Sequence, residues 1–224
     1  MVLCDIGNTT FHFKIKHKEF KTNVDSNLDE IPYDIKKLYF ISVNKKATQK
    51  LLKKYPQAID MKDIINFKTN YVGMGIDRQV VSNFIQNGII IDVGSAITVD
   101  IMQNGNHLGG FIMPGFKSFK KIYPKISMNL TFKFRNDISL DQIPLNTQDA
   151  INYAILSAII LPIKKVQDEY NLPLIFTGGD AEQIVKYFKK KDYKYDKNLI
   201  FKSMKNILQK YKENNKSNNK KGNK

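Results

Sequence analysis

At 224 residues, with 42% hydrophobic and 11% aromatic side chains, the chain is long enough for one large or two small domains around a real core, which excludes a disordered polymer. No stretch approaches the roughly 20 apolar residues of a membrane helix; the longest, residues 154–163, contains Ser157, so no membrane partner is expected. The net charge of +15 is mostly scattered lysine, with Arg78 and Arg135 the only arginines, so a nucleic-acid partner is not expected, while phosphorylated metabolites would be attracted by the field.

The N-terminus shows no basic stretch followed by an apolar one before Asp5, and the single cysteine, Cys4, sits in a predicted strand. Both features fit a cytoplasmic protein. Val2-Leu3-Cys4 leads into Asp5-Ile6-Gly7-Asn8-Thr9-Thr10, after which Phe11, Phe13 and Ile15 alternate with His12, Lys14 and Lys16 as in a half-exposed strand. Residues 38–43 read as a buried strand, and 47–55 as a helix that Pro56 stops. Gly73 and Gly75 then precede Asp77 and Arg78. The third glycine of a dinucleotide fingerprint is missing, and that reading is rejected. A helix predicted over 79–85 places its anion-favouring N-terminus beside Asp77 and Arg78.

Ile89, Ile90 and Ile91 form a strand buried on both faces that runs into Asp92-Val93-Gly94-Ser95. The strand pattern resumes over 97–102 and meets Asn104-Gly105, a hairpin turn signal. This unit copies the one at Asp5, 87 residues earlier, and implies duplicated halves. Gly110, Gly115, Lys117 and Ser118 nearly spell a P-loop, but Phe116 is one residue too many and Pro114 lacks an N–H, so a strand over 111–113 entering a Pro-Gly turn is expected instead. Asn146 and Thr147 open a helix over 150–167, with Pro162 as a kink or break; they serve either as its N-cap or as ligand contacts. A strand over 172–176 runs into Thr177-Gly178-Gly179-Asp180. The two glycines, ahead of a helix predicted over 182–189, suit close approach to a flat ligand or a phosphate. Residues 210–224 carry six lysines against Glu213 and read as a disordered basic tail. His12, His17 and His107 show no metal-ligand spacing, and no nucleophile or zinc motif competes for the site.

The order Asp5-Ile6-Gly7-Asn8-Thr9, Gly75-Ile76-Asp77-Arg78, Asp92-Val93-Gly94-Ser95, Asn146-Thr147 and Thr177-Gly178-Gly179-Asp180 resembles the type III pantothenate kinases over residues 1 to about 208. The resemblance implies an α/β fold of two duplicated actin-like (ribonuclease H-like) halves, each a mixed β-sheet flanked by helices, with ATP in the cleft between them. The halves are expected at 1–87 and 88–208, followed by the tail at 209–224. It implies phosphorylation of pantothenate with ATP, the first step of coenzyme A synthesis, by a homodimer that uses magnesium and a monovalent cation, potassium or ammonium. By the same resemblance Asp77 is the general base, Gly75, Ile76 and Arg78 are its substrate-binding neighbours, and Thr147 is a pantothenate contact near the dimer interface, with Tyr71 a further one. Asp5 and the backbone through Ile6, Gly7, Asn8, Thr9 and Thr10 correspond to the first phosphate loop, Asp5 holding magnesium through water. Asp92 corresponds to the monovalent-cation ligand, Ser95 to the ATP-contacting hydroxyl of the second phosphate loop, and Gly178 and Gly179 to the adenosine-side loop. Ser95 stands where threonine is commoner in the family. Another small-molecule or sugar kinase of the same superfamily, or a non-catalytic regulatory relative, is the alternative.

Overall fold

A computed structural model describes residues 1–28, 31 and 35–221. The chain divides into two compact units, Met1–Ile85 with Asn198–Lys224, and Gln86–Lys197. In the first, β1 (Val2–Ile6) pairs antiparallel with β2 (Thr10–Ile15), and β2 with β3 (Lys18–Asn23). On its other side β1 runs parallel to β4 (Leu38–Ser42), and β4 parallel to β5 (Ile59–Asp60), giving the order β3-β2-β1-β4-β5. Helix α1 (Lys45–Lys54) follows β4, and α2 (Ile76–Ser82) follows β5.

The second sheet repeats this plan strand for strand. β6 (Gly88–Val93) pairs antiparallel with β7 (Ala96–Gln103), and β7 with β8 (Asn106–Pro114); β6 is parallel to β9 (Leu174–Thr177), and β9 to β10 (Tyr193–Tyr195). The β7–β8 turn is the expected Asn104-Gly105, both at positive φ as a tight hairpin requires. Helices α3 (Phe116–Ile126) and α4 (Thr147–Tyr170) lie between β8 and β9, and α5 (Leu199–Lys221) comes last.

Strand alternation distributes the cores. Val2, Cys4, Ile6, Phe11, Phe13, Leu38 and Phe40 share one face of the first sheet and pack on Ala47 and Leu51 of α1. Leu3, Tyr39 and Ile41 share the opposite face and pack on Val80 of α2 and on Phe201, Met204, Ile207 and Leu208 of α5. In the second unit one core joins Ile89, Ile91, Val93, Leu174 and Phe176 of the sheet to Ile151, Ile155, Ile159 and Ile163 of α4. Cys4 is fully buried, and burial, with the Asp5 charge beside it, pushes its thiol well above the ordinary range, so it stays protonated.

Several elements differ from expectation. Helix α2 starts at Ile76, so Asp77 and Arg78 lie in its first turn instead of ahead of it, with Gly75 as N-cap. Helix α4 begins at Thr147 and runs unbroken through Pro162, whose neighbours Ile159, Ile160 and Ile163 are all buried in the core and hold the helix in line. Residues 181–187 form two 3-10 turns, Ala181–Gln183 and Val185–Tyr187, in place of an α-helix. Their period of three brings Ala181 and Ile184 to the core, and Tyr187 Oη donates to the Asn136 and Ile138 carbonyls at 2.6 and 2.7 Å. Helix α3 grows out of the expected Pro-Gly turn because Phe116, Phe119 and Tyr123 recur at helical spacing against the core. Residues 209–221, expected to be disordered, continue α5, which belongs to the first unit and not, as expected for residues up to 208, to the second half. Helix nucleated by the buried stretch up to Leu208 propagates into the exposed lysine-rich segment, where Gln209 Nε2 donates to Glu213 Oε1 at 3.0 Å one turn on. Residues 222–224 of the expected tail lie outside the described residues.

Candidate functional site

In the first unit, β1 delivers Asp5 and Ile6 to a turn in which the Gly7 N–H donates to the Thr10 carbonyl at 3.0 Å. Ile6 is buried, Asp5, Gly7 and Thr10 are half-buried, and Asn8 and Thr9 are exposed at the tip. The Val24 N–H holds the Thr9 carbonyl from β3's end at 3.0 Å, and the Val43 N–H holds the Ile6 carbonyl at 3.1 Å. The loop is therefore pinned from both sides, with its tip facing outward.

The same turn after β4 reaches the second cluster of this unit, since a Cβ at Gly75 would lie 3.7 Å from Val43 Cγ1. Asp77 folds back over Gly75, its Oδ1 accepting from the Arg78 N–H at 2.8 Å and lying only 2.5 Å from where a Cβ of residue 75 would be. Gln79 Nε2 donates to the Met74 carbonyl at 2.8 Å and ties the glycine loop to α2. Arg78 is 7% exposed, with its guanidinium carbon 4.6 Å from the Tyr71 ring centroid, a cation–π contact that orients the cation. Tyr71, Gly75, Ile76, Asp77 and Arg78 thus form one cluster.

In the second unit, β6 delivers Asp92 to a turn in which the Gly94 N–H donates to the Ala96 carbonyl at 3.0 Å, with Ser95 exposed beside it. Gly178, at φ +90°, presses its Cα against this strand end: a Cβ there would meet Asp92 Oδ1 and the Val93 carbonyl at 2.4 Å. The Asp180 N–H donates to the same Val93 carbonyl at 3.0 Å. From the other side the Gly115 N–H reaches the Ser95 carbonyl at 3.2 Å, and a Cβ at residue 115 would stand 2.2 Å from the Gly94 carbonyl. Asp92, Ser95, Gly178 and Gly179 therefore belong to one cluster. Gly115 is a member that sequence reasoning missed, although a Pro-Gly after a strand was its visible signal. Thr147 is exposed in the first turn of α4, whose N-cap is Asn146, its Oδ1 accepting from the Asp149 N–H at 2.9 Å. The N-cap reading thus falls to Asn146, and Thr147 makes none of the contacts described above for the Asp92 cluster of its own unit.

Gly7, Gly94 and Gly179 close the turns at the ends of β1, β6 and β9. None has a positive φ, and a Cβ at Gly7 or Gly94 would come no nearer than 3.7 Å to any other part of the chain, while at Gly179 it would meet nothing within 4 Å. The fold itself does not require glycine at these three positions. Glycine there leaves the backbone N–H groups open to close approach by a ligand.

A family model described as type III pantothenate kinase matches residues 40–169. A type III pantothenate kinase from Helicobacter hepaticus is 39% identical over 216 residues, covering 94% of this chain and 99% of that protein. One from Campylobacter jejuni is 41% identical over 209 residues, covering 93% and 96%. A crystal structure from Campylobacter jejuni, described as a Baf family transcriptional activator, superposes with a TM-score of 0.82 at 40% identity, covering 94% of this chain and 98% of that one. MreB 5 of Spiroplasma citri superposes with a TM-score of 0.54 at 12% identity over 97% and 98%, a likeness of fold alone. No described helix is long and apolar enough to cross a membrane. By its motif order, its twice-repeated sheet and its close relatives, the chain belongs to the type III pantothenate kinase family and has the actin-like ATPase fold.

Proposed function

We propose that this chain transfers the γ-phosphoryl group of ATP to the primary hydroxyl of pantothenate, with Asp77 as general base, giving 4'-phosphopantothenate and ADP. The oxygen–phosphorus bond forms as the bond to the bridging oxygen breaks, and the hydroxyl proton passes to the Asp77 carboxylate. Its Oδ1, held by the Arg78 N–H, fixes that carboxylate against rotation. The Arg78 guanidinium, oriented by Tyr71, is suited to the carboxylate of pantothenate. Backbone N–H groups of residues 6–10 and 94–95, with the Ser95 hydroxyl, bind the phosphates, and the loop at Gly178 and Gly179 takes the adenosine side. The observation that carries this reading is the set of glycines at residues 7, 94 and 179, which the protein's own packing leaves unexplained.

Asp5 suits a hydrated Mg²⁺ and Asp92 a monovalent cation, potassium or ammonium. Among the described residues no three His, Cys, Asp or Glu side chains converge on one point, and a single carboxylate at each place fits cations completed by water and phosphate oxygens. When bound, these ions supply positive charge that offsets the phosphates. We further propose a homodimer, in which a second copy covers the exposed Ile143 and Leu145 next to Thr147 and brings Thr147 to pantothenate. The cytoplasm, where both substrates are found, is the proposed location.

ADP formation from ATP with and without pantothenate tests the assignment. Asp77→Asn keeps the shape and an oxygen for the Arg78 N–H but removes the basic carboxylate. Its kcat should fall by about 10²–10⁴ with folding and nucleotide binding retained. Turnover within about threefold of wild type, far short of the general-base range, would sink the assignment.

A further inference from the structure

Asn44 stands in the turn after β4, 36 residues from the first phosphate loop, yet its side chain joins the two. Its Oδ1 accepts from the Ala47 N–H at 3.1 Å and caps α1, while its Nδ2 donates to the Asn8 carbonyl at 3.2 Å. One amide orientation satisfies both bonds. The turn that carries Asn44 is itself stiffened: Ser42 Oγ accepts from the Asn44 N–H at 3.0 Å, and Thr48 Oγ1 lies 2.7 Å from Ser42 Oγ and 2.9 Å from the Asn44 carbonyl. The neighbouring Val43 N–H holds the Ile6 carbonyl. Two carbonyls of the loop are therefore drawn to one rigid turn.

We infer that Asn44 is a positioning residue for nucleotide binding, a strut that sets the direction of the backbone N–H groups at the tip of the first phosphate loop. The peptide between Asn8 and Thr9 is trans and planar, so its N–H points opposite to its carbonyl. Drawing the Asn8 carbonyl toward Asn44 aims the Thr9 N–H away from α1. Asn8 and Thr9 are exposed, and this bond and the Thr9 carbonyl bond to Val24 restrain the tip of the turn that the Gly7–Thr10 bond closes. The inference rests on the kinase reading, in which residues 6–10 meet phosphate.

Serine caps a helix about as well as asparagine but carries no amide to reach Asn8, so Asn44→Ser separates the strut from the cap. Titration of wild type, Asn44→Ser and Asn44→Ala with ADP and Mg²⁺, followed by calorimetry, should show both variants binding about three- to tenfold more weakly, the range one hydrogen bond is worth. Only Asn44→Ala should also lose melting temperature, and KM for pantothenate should hold in Asn44→Ser. Asn44→Thr is a second capping variant should serine not keep the fold. ADP affinity of the capped variant within about twofold of wild type overturns the strut, because the cap alone would then account for Asn44. Absence of ADP binding by the wild type would instead remove the kinase reading, and the inference with it.

Discussion

Gly75 shows how a single missing Cβ places a carboxylate, that of the proposed general base Asp77. Its backbone, at φ −60° and ψ 146°, suits any residue, so alanine would fold there without strain. The new methyl would nevertheless stand 2.5 Å from Asp77 Oδ1 and force the carboxylate to swing away. Gly75→Ala should therefore lower kcat by about tenfold or more, part of the general-base contribution, with the melting temperature nearly unchanged. Steady-state rates beside a thermal melt check this. A second residue governs acid sensitivity. Burial lowers the His12 pKa from its ordinary value, Lys21 adds to the shift, and Glu19, 3.2 Å away and also paired with Lys14, only partly opposes it. The ring packs edge-on against Phe201 at 4.6 Å. A histidine whose folded pKa is depressed binds fewer protons folded than unfolded, so its share of stability is complete above about pH 6.5 and is lost as pH falls through the lower folded value. His12→Gln should flatten that part of the stability-against-pH curve, measured by urea unfolding between about pH 5 and 7. The positions of Asp5, Asp77 and Asp92 were legible in the sequence because each stands where a strand or a glycine loop runs into an acid, and that of Ser95 because it follows Gly94 in the turn after β6. Asn44 was not, because its partner lies far along the chain and only the β1–β4 pairing brings them together.

At the scale of elements, strands were read well and helix ends poorly. Alternation and branched apolar runs fix a strand's faces locally, whereas the first turn of α2 is closed by the Gln79 N–H on the Gly75 carbonyl and residues 181–187 took a period of three from core contacts. Neither cause is visible in composition. The exposed β3 went unread for the opposite reason: its side chains are almost all solvent-facing, and only its pairing with β2 makes it a strand. Helix α5 separates into a packed and a solvated part. Phe201 is fully buried between sheet and helix, and Phe201→Ala should cost about 3–5 kcal/mol in denaturant unfolding. No buried side chain follows Leu208 among residues 209–215, so removing everything after Tyr211 should leave the melting temperature within about 2 °C and turnover unchanged.

For the whole molecule, the repeated Asp-x-Gly signal announced the duplication, and the two sheets share one strand plan, β3-β2-β1-β4-β5 matching β8-β7-β6-β9-β10. What the repeat could not announce is that α5 belongs with the first unit, because the need to cover Leu3, Tyr39 and Ile41 is set by the folded sheet and not by neighbours in sequence. The second unit is one continuous segment with its own core, so residues 86–197 alone should give a cooperative thermal transition, while residues 1–85 alone should not. Assembly is also testable at this scale. If a second copy covers Leu145, 98% exposed in the single chain, then Leu145→Glu should yield monomers in sedimentation and raise KM for pantothenate more than for ATP.

The placement of α5 also sets an order of events on the ribosome. The strand that carries Asp5 is made first, yet one face of its sheet has only Met61 and Val80 to cover it until Phe201 and Met204 emerge. At about 5–20 residues per second, the synthesis of Gln86–Lys197 holds it in that state for on the order of ten seconds, while the second unit matures behind it. The earliest-made sheet is thus the last to have both faces covered. A nascent chain stalled before residue 198 would present Leu3, Tyr39 and Ile41 to chaperones and proteases, and release of the last helix would end that exposure in a single step.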